Sequence, residues 1–288
     1  MPRLTHLSLP SAERSVTLEH LRPVGSSHDD VRRYSRARRN VLPRADHVTA
    51  LTGGWAHDVV LHSDAPVEVA LWCPGDRPHP ELEATAARVV ARAGRAFRIS
   101  ERVLARIQPE ATAPALLSVV PLPRWDPARV LTGSARLVLV ADGIEYAGNL
   151  GTLIRSADAC GADGVVLTSV DARLSHPKVF VASRGTVVTM PVLEYGDIDV
   201  ARRDLAAAGF TAYVADPAAE RSYRATDYAE RAAIVVGSEG NGVCAAWRTP
   251  DLARVSIPML GQADSLNVAA SAAILLFEAQ ARLGGQVS

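Results

Sequence analysis

From residue 137 onward, short continuous apolar runs alternate with helical segments, and most of the runs end in a polar turn. The runs Leu137–Ala141, Gly164–Leu167, Thr211–Val214 and Ala232–Val236 read as buried strands, with Val255–Ile257 as a fifth. Between and after them, Thr152–Ala159, Pro177–Ser183, Asp199–Ala208 and a last segment from Ser265 or Asn267 to about Leu283 read as helices. Strands that are apolar throughout have no solvated face, so both faces must be covered. Regular βα alternation meets that need with a parallel sheet flanked by helices. In such α/β folds ligands sit beyond the carboxyl ends of the strands, which is where the polar turns fall.

Three of these turns carry candidate chemistry. The first, Asp142-Gly143-Ile144-Glu145-Tyr146-Ala147-Gly148-Asn149-Leu150-Gly151, leads from a strand into a helix. Its glycines permit close backbone approach, and a helix start offers unpaired N–H groups to a polar ligand. Arg155 stands one turn into the helix, so its side chain can lean back toward the loop. The second turn, Gly237-Ser238-Glu239-Gly240-Asn241-Gly242, holds three glycines in six residues. That suits a ligand held by main-chain atoms, although a plain glycine-rich turn with Glu239 as a helix cap reads equally well. The third runs from Ile257-Pro258-Met259 through a short link to Ser265-Leu266-Asn267, where a helix of small residues begins. Asn267 is either its cap or a ligand contact. None of the turns is GxGxxG with an acidic residue closing the next strand, which disfavours a dinucleotide-dependent oxidoreductase.

Upstream, Val48–Pro121 alternates as well: a strand at Val67–Trp72, a helix at Pro80–Ala93, a strand at Ala96–Ser100, a helix at Glu101–Ile107 and a strand at Leu116–Val120. The expected division is an irregular lead (1–26), a small α/β domain (27–121), a proline-rich linker (122–134) and the parallel-sheet domain (135–288). Near the start of the small domain, Val31–Asn40 carries Arg32, Arg33, Arg36, Arg38 and Arg39. The stretch is either a solvated helix face or a phosphate contact.

Composition limits the alternatives. Lys plus Arg and Asp plus Glu are both 31, so the chain is no generic polyanion coat and any nucleic-acid contact must be local. Three widely spaced cysteines, Cys73, Cys160 and Cys244, form no disulfide framework and no zinc site. No metal is expected. There is no membrane-length apolar run and no secretory signal pattern, so a cytoplasmic location without membrane association is expected.

Taken together, GNLGTLIRSADACGADGVVL, AAIVVGSEGNGV and VSIPMLGQADSLNVAASAAILLFEA resemble the three signature motifs of the SpoU/TrmH family of SPOUT methyltransferases. The resemblance implies a trefoil-knotted α/β domain, an exception to the rule that chains do not thread. It implies S-adenosylmethionine as cofactor (S-adenosylhomocysteine as product) and RNA 2′-O-ribose methylation as reaction, with ribosomal RNA ahead of transfer RNA. The cofactor cradle maps to Gly237, Ser238, Glu239, Ile257, Met259, Ser265, Leu266 and Asn267. The catalytic set maps to Asn149, Arg155, Glu239, Ser265 and Asn267. VRRYSRARRN and FRISERVLARIQPEATAPALLSVVP resemble the L30e-like RNA-binding domain that often precedes this fold, which makes Arg32, Arg36 and Arg39 RNA contacts. Ala147, where many members have proline, and Ser183-Arg184-Gly185-Thr186 are similar to the thiostrepton-resistance type of 23S rRNA methyltransferase, in which Arg184 corresponds to a second substrate-gripping arginine. Members are usually homodimers through the knotted domain. A non-catalytic knotted RNA-binding protein of ribosome assembly is the alternative.

Overall fold

The structure, a computed structural model, describes residues 17–238 and 240–284. The first sixteen residues of the expected lead, and Glu239, lie outside the described residues.

The N-terminal elements are α1 (Asp29–Arg38), β1 (Val48–Thr52), α2 (Gly54–Leu61), β2 (Val67–Cys73), α3 (Pro80–Arg92), β3 (Ala93–Arg98), α4 (Glu101–Ile107) and β4 (Ala115–Pro121). Their four strands form one mixed sheet in the order β1-β4-β2-β3. Helix α1 buries Val31, Tyr34 and Ala37 against this sheet, an i, i+3, i+6 stripe that leaves its arginines on the outer faces. Its cap is the ring of His28, which accepts from the Asp30 N–H, while Asp29 and Asp30 supply the favourable charge in the first turn. Strand β3 starts three residues before the expected Ala96. Its burial is patchy because it is an edge strand, and its start is set by parallel pairing of Ala93 with Val67. The proline-rich linker holds a single turn, α5 (Pro127–Val130), capped by the Asp126 carboxylate.

The second sheet contains β5 (Leu137–Asp142), then α6 (Ala147–Cys160), β6 (Gly164–Thr168), α7 (Pro177–Ala182), β7 (Val192–Tyr195), α8 (Ile198–Ala207), β8 (Thr211–Ala215), β9 (Ala232–Val236), β10 (Ala253–Val255) and α9 (Val268–Arg282). All pairings are parallel, in the order β10-β8-β9-β5-β6-β7. The α/β class and parallel sheet read from the sequence are therefore observed. β5 and β9, both fully buried, occupy the centre.

Three local differences have physical reasons. Helix α6 begins at Ala147, five residues before the expected Thr152, so Gly148, Asn149 and Gly151 lie in its first turns and not in a loop. Glycine is a poor helix former, but a Cβ on Gly151 would stand 2.6 Å from Ala182 Cβ and 2.7 Å from the Val179 carbonyl oxygen. Close packing of α6 on α7 outweighs local propensity here. Strand β10 lies two residues earlier than expected because its register follows pairing of Ala253 with Tyr213. β7, a four-residue strand at the sheet edge, leaves too short a pattern to recognise.

One hydrophobic core runs from the mixed sheet (Leu51, Trp72, Leu116) through α7 (Val179, Phe180) to α6 and α9. A second fills the opposite face of the parallel sheet around Leu205 and Trp247. The seam between the sheets is also pinned by polar contacts: Arg173 donates to the Leu42 carbonyl (2.6 Å) and Arg44 to that of Asp171 (2.9 Å).

Candidate active site

The three sequence-identified segments meet at the carboxyl ends of β5, β9 and β10, on the side where α6 and α9 pack together. Asn267 caps α9: its Oδ1 accepts from the Ala269 N–H at 3.0 Å. The same side chain donates from Nδ2 to Asn149 Oδ1 at 3.3 Å. One asparagine thus joins the first and third segments across 118 positions of sequence. Of the two possible caps, Asn267 takes the role; Ser265 lies exposed, with its hydroxyl directed to Asp264.

The second segment is a tight turn. Ser238 and Gly242 exchange backbone hydrogen bonds (3.1 and 2.8 Å), and the Ser238 hydroxyl accepts from the Asn241 N–H. Gly242 has a φ of +63°, and a Cβ on Gly237 would overlap the Gly242 backbone. Both positions therefore require glycine. The turn is anchored from below by Asp142, which is 1% exposed. One of its carboxylate oxygens accepts from the Cys244 N–H (2.7 Å) and the other from the Thr168 hydroxyl (2.9 Å). A buried carboxylate needs such donors to offset desolvation.

Two cavities adjoin at this point. The larger, about 280 Å³, is lined by Gly237, Ser238, Ile257, Met259, Ser265 and Leu266. The smaller, about 190 Å³, is lined by Asn149 together with Glu145 and Tyr146. Ser238 and Val268 belong to both walls.

Residues 136–277 match the SpoU rRNA Methylase family. The C-terminal unit belongs to that family. The chain is 37% identical over 144 residues to the Bacillus subtilis 23S rRNA (guanosine(2553)-2′-O)-methyltransferase RlmP, covering 50% of this chain and 58% of that protein. The 23S rRNA (uridine(2479)-2′-O)-methyltransferase of Streptomyces viridochromogenes is 31% identical over 181 residues, covering 61% and 63% respectively. The chain thus matches about three fifths of the length of these curated relatives. Among solved structures, the SpoU methyltransferase AviRb of Streptomyces viridochromogenes in complex with AdoMet superposes with a TM-score of 0.73 at 27% identity, over 88% of this chain and 97% of that one.

The remaining expected site residues are less tightly grouped. Arg155 is exposed on α6, six residues beyond Asn149, which is about 9 Å along the axis at 1.5 Å per residue. Its side chain makes no hydrogen bond or ion pair to the described residues. Arg184 follows α7 with a left-handed φ of +55° and lies over the Trp55 ring, 4.4 Å from its centroid. Arg32, Arg36 and Arg39 share one exposed stripe of α1; Arg32 faces Asp29 at 3.8 Å and Arg39 returns to the Ser35 carbonyl. Arg33 and Arg38 of the same cluster are consumed by Glu68, Asp46 and Glu110.

Sequence reasoning missed several lining residues of the SpoU domain. Asp216 and Pro217 close the larger cavity after β8, and Arg248 holds the turn through the Asn241 carbonyl (2.7 Å). The signal at Asp216-Pro217 was present, a polar breaker ending an apolar strand. Arg248 has no such local mark. The thiols offer no competing chemistry, since burial pushes Cys73, Cys160 and Cys244 all upward and away from thiolate. No group of His, Cys, Asp and Glu that could hold a metal ion occurs among the described residues, and no helix is long and apolar enough to cross a membrane.

Proposed function

We propose that the protein is an S-adenosylmethionine-dependent RNA methyltransferase that modifies a ribose 2′-hydroxyl, with 23S ribosomal RNA as first substrate and transfer RNA as second. The observation that carries this reading is the pair of adjoining cavities sharing Ser238 and Val268, with Asn149 and Asn267 hydrogen-bonded at the boundary. Adjoining compartments of this kind can hold a methyl donor beside its acceptor. Relatives named as ribose methyltransferases support the catalytic reading over a non-catalytic knotted RNA clamp.

The larger cavity suits the cofactor. At about 280 Å³ it stands near the lower end of the roughly 300–1,000 Å³ of small-molecule sites. Val255, Ile257, Leu266 and Val268 give it an apolar wall, and the cramped Gly237–Gly242 turn brings main-chain polar atoms to its edge. Gly237, Ser238, Glu239, Ile257, Met259, Ser265, Leu266 and Asn267 are the proposed cradle. Bound there, S-adenosylmethionine supplies an electrophilic methyl group on a sulfonium.

The ribose hydroxyl is a poor nucleophile that must shed its proton as it attacks. Arginine is always protonated, so Arg155 acts by gripping the adjacent phosphate and polarising the hydroxyl. Asn149 and Ser265 align that hydroxyl, Asn267 fixes Asn149, and Glu239 orients the sugar. Positioning of this kind removes much of a bimolecular barrier. Arg184 and, farther out, Arg32, Arg36 and Arg39 hold flanking phosphates.

The same reading assigns residues 1–26 to a lead, 27–121 to an L30e-like RNA-binding domain, 122–134 to a linker and 135–288 to a trefoil-knotted domain. The βα alternation around the β1-β4-β2-β3 sheet supports the L30e likeness. Return of the chain from edge strand β10 to α9, packed on α6 beside the central strands, supports the knot. A homodimer through this domain is favoured by the outer stripe of α9, where Ala270, Phe277 and Ala281 are exposed and Ile274 half-buried. A ribosomal RNA substrate makes the cytoplasm the working compartment.

The test is thermal protection of the purified protein by S-adenosylmethionine, followed by mapping of ribose methylation in ribosomal and transfer RNA with and without the gene. Protection and one lost 2′-O-methyl position are expected. Folded protein that the cofactor fails to protect, with RNA methylation unchanged, overturns the reading.

A further inference from the structure

At the seam between the two sheets an aromatic ring and a cation are held together in solvent. Trp55, on the first turn of α2, remains 39% exposed although the indole is among the most apolar groups on the chain. Its ring meets Phe180 of α7 edge-on (centroids 5.9 Å apart), and the Arg184 guanidinium lies over it at 4.4 Å. Val181, beside Phe180, is 59% exposed. The patch is thus built by two domains and belongs to neither core alone.

The Arg184 guanidinium rests on the indole without a polar partner among the described residues. Arg44 and Arg173, which bridge the seam, are by contrast satisfied by carbonyls. The Arg184 side chain makes no hydrogen bond or ion pair to the described residues, so the five guanidinium N–H donors face solvent while the Trp55 face fixes its plane. Its backbone is pinned too, in the left-handed region that few non-glycine residues adopt. The next residue, Gly185, has φ +84° and no room for a Cβ against Val59 of α2. A fixed, unpaired guanidinium on an exposed indole is suited to a planar anionic ligand, with ring stacking and phosphate contact from one unit.

Its place relative to the proposed active site narrows the ligand. The Ser183 nitrogen stands 3.0 Å from where Gly151 would carry a Cβ, so Arg184 follows directly the point where α7 touches α6. Arg155, whose side chain is likewise without a polar partner among the described residues, is one helical turn beyond Gly151. The first turns of α6, which carry Asn149 into the smaller cavity, thus pack through Gly151 on the end of α7 that leads into Arg184.

We infer that Trp55 is a stacking platform for an unpaired base of the substrate RNA, next to the methylated nucleotide, with Arg184 clamped on the indole to hold that nucleotide's phosphate. This rests on the RNA-methyltransferase reading. The base stacks on the exposed part of the indole or on the outer plane of the guanidinium, and α2 becomes the RNA-facing element of the N-terminal domain at this seam.

The experiment uses the full chain and fluorescein-labelled fragments of 23S ribosomal RNA, with affinity read by anisotropy and S-adenosylmethionine binding read separately by thermal shift. Trp55→Ala is expected to weaken RNA binding about tenfold and Trp55→Phe by less than about threefold, since aromatic stacking tolerates ring exchange. Cofactor protection stays as in the parent. Arg184→Gln weakens RNA binding and lowers its salt dependence by about one counterion. Photocrosslinking of the parent protein to 4-thiouridine RNA places a crosslink on the peptide containing Trp55, a readout that needs no variant to fold. Undiminished RNA affinity in Trp55→Ala, or crosslinks confined to other peptides, overturns the inference. If the parent neither binds the cofactor nor methylates RNA, the functional reading itself fails.

Discussion

Arg33 and Arg38 of the basic helix α1 and Arg155 and Arg184 beside the α6–α7 contact are left in opposite states. Around the mixed sheet, Arg33 is tied to Glu68 and Asp46, Arg95 to Asp30 and Glu68, and Arg38 to Glu110. These pairs knit α1 to the sheet and to the loop after α4, and they neutralise much of the cluster that looks most cationic in sequence. At the parallel sheet, Arg155 and Arg184 stand in no charged cluster and make no ion pair. Density of basic residues along a chain therefore does not say which cations remain available to an anion. What matters is which cations the fold leaves unmatched, because a guanidinium already paired gains little from a second anion.

The sharpest way to break this contrast is Arg155→Ala. Loss of a charged donor at a developing negative charge costs on the order of a hundredfold or more in rate. Methyl transfer measured with tritiated cofactor should fall by about that factor, with thermal protection by the cofactor unchanged. Retention of activity within about threefold would remove Arg155 from the reaction. Next in size is Gly151→Ala, which drives a methyl group to 2.6 Å from Ala182 Cβ. Overpacking of this kind costs about 1–3 kcal/mol, read as a lower urea midpoint, and α6 and α7 must part at the point that carries Asn149 and Arg184.

A third effect belongs to the N-terminal domain alone. His57 is fully buried, donates from Nδ1 to the Gly53 carbonyl (2.6 Å) and accepts at Nε2 from the Ser118 hydroxyl (2.9 Å), so it is held neutral. Burial lowers its pKa from 6.5 to about 4. The unfolded chain then binds a proton that the folded chain refuses between those values. Stability is complete above about pH 6.5 and declines as pH falls toward 4, by up to about 1.4 kcal/mol per unit. Urea unfolding at pH 7 and pH 5 should show this loss, and His57→Gln should flatten it. The smallest effect is expected of Arg36→Ala on the outer stripe of α1: about a two- to threefold loss of RNA affinity, with the salt slope reduced by about one. A loss as large as that of Trp55→Ala would make α1, and not the seam, the main RNA contact.

How much of this was legible beforehand differs by element. The central strands β5 and β9 were readable to within a residue, because full burial writes an unbroken apolar run. Edge strands β3, β7 and β10 were shifted or missed, since half-exposed or very short strands leave no clean pattern and take their ends from neighbours. Six of the proposed cradle residues line the larger cavity. Arg248 does not stand out in sequence, and Asp142, buried under the glycine turn, gives no sign of holding Cys244 and Thr168 together.

The order of apolar runs and polar turns, read along the chain alone, determined a parallel α/β domain with its chemistry at the strand ends, because burial periodicity is a local property. Tertiary structure alone decided that Asn149 meets Asn267, that Trp55 carries Arg184, and which arginines remain unmatched. Those contacts join residues 118 or 129 positions apart, and their partners are chosen by strand order and helix packing, which no local pattern encodes.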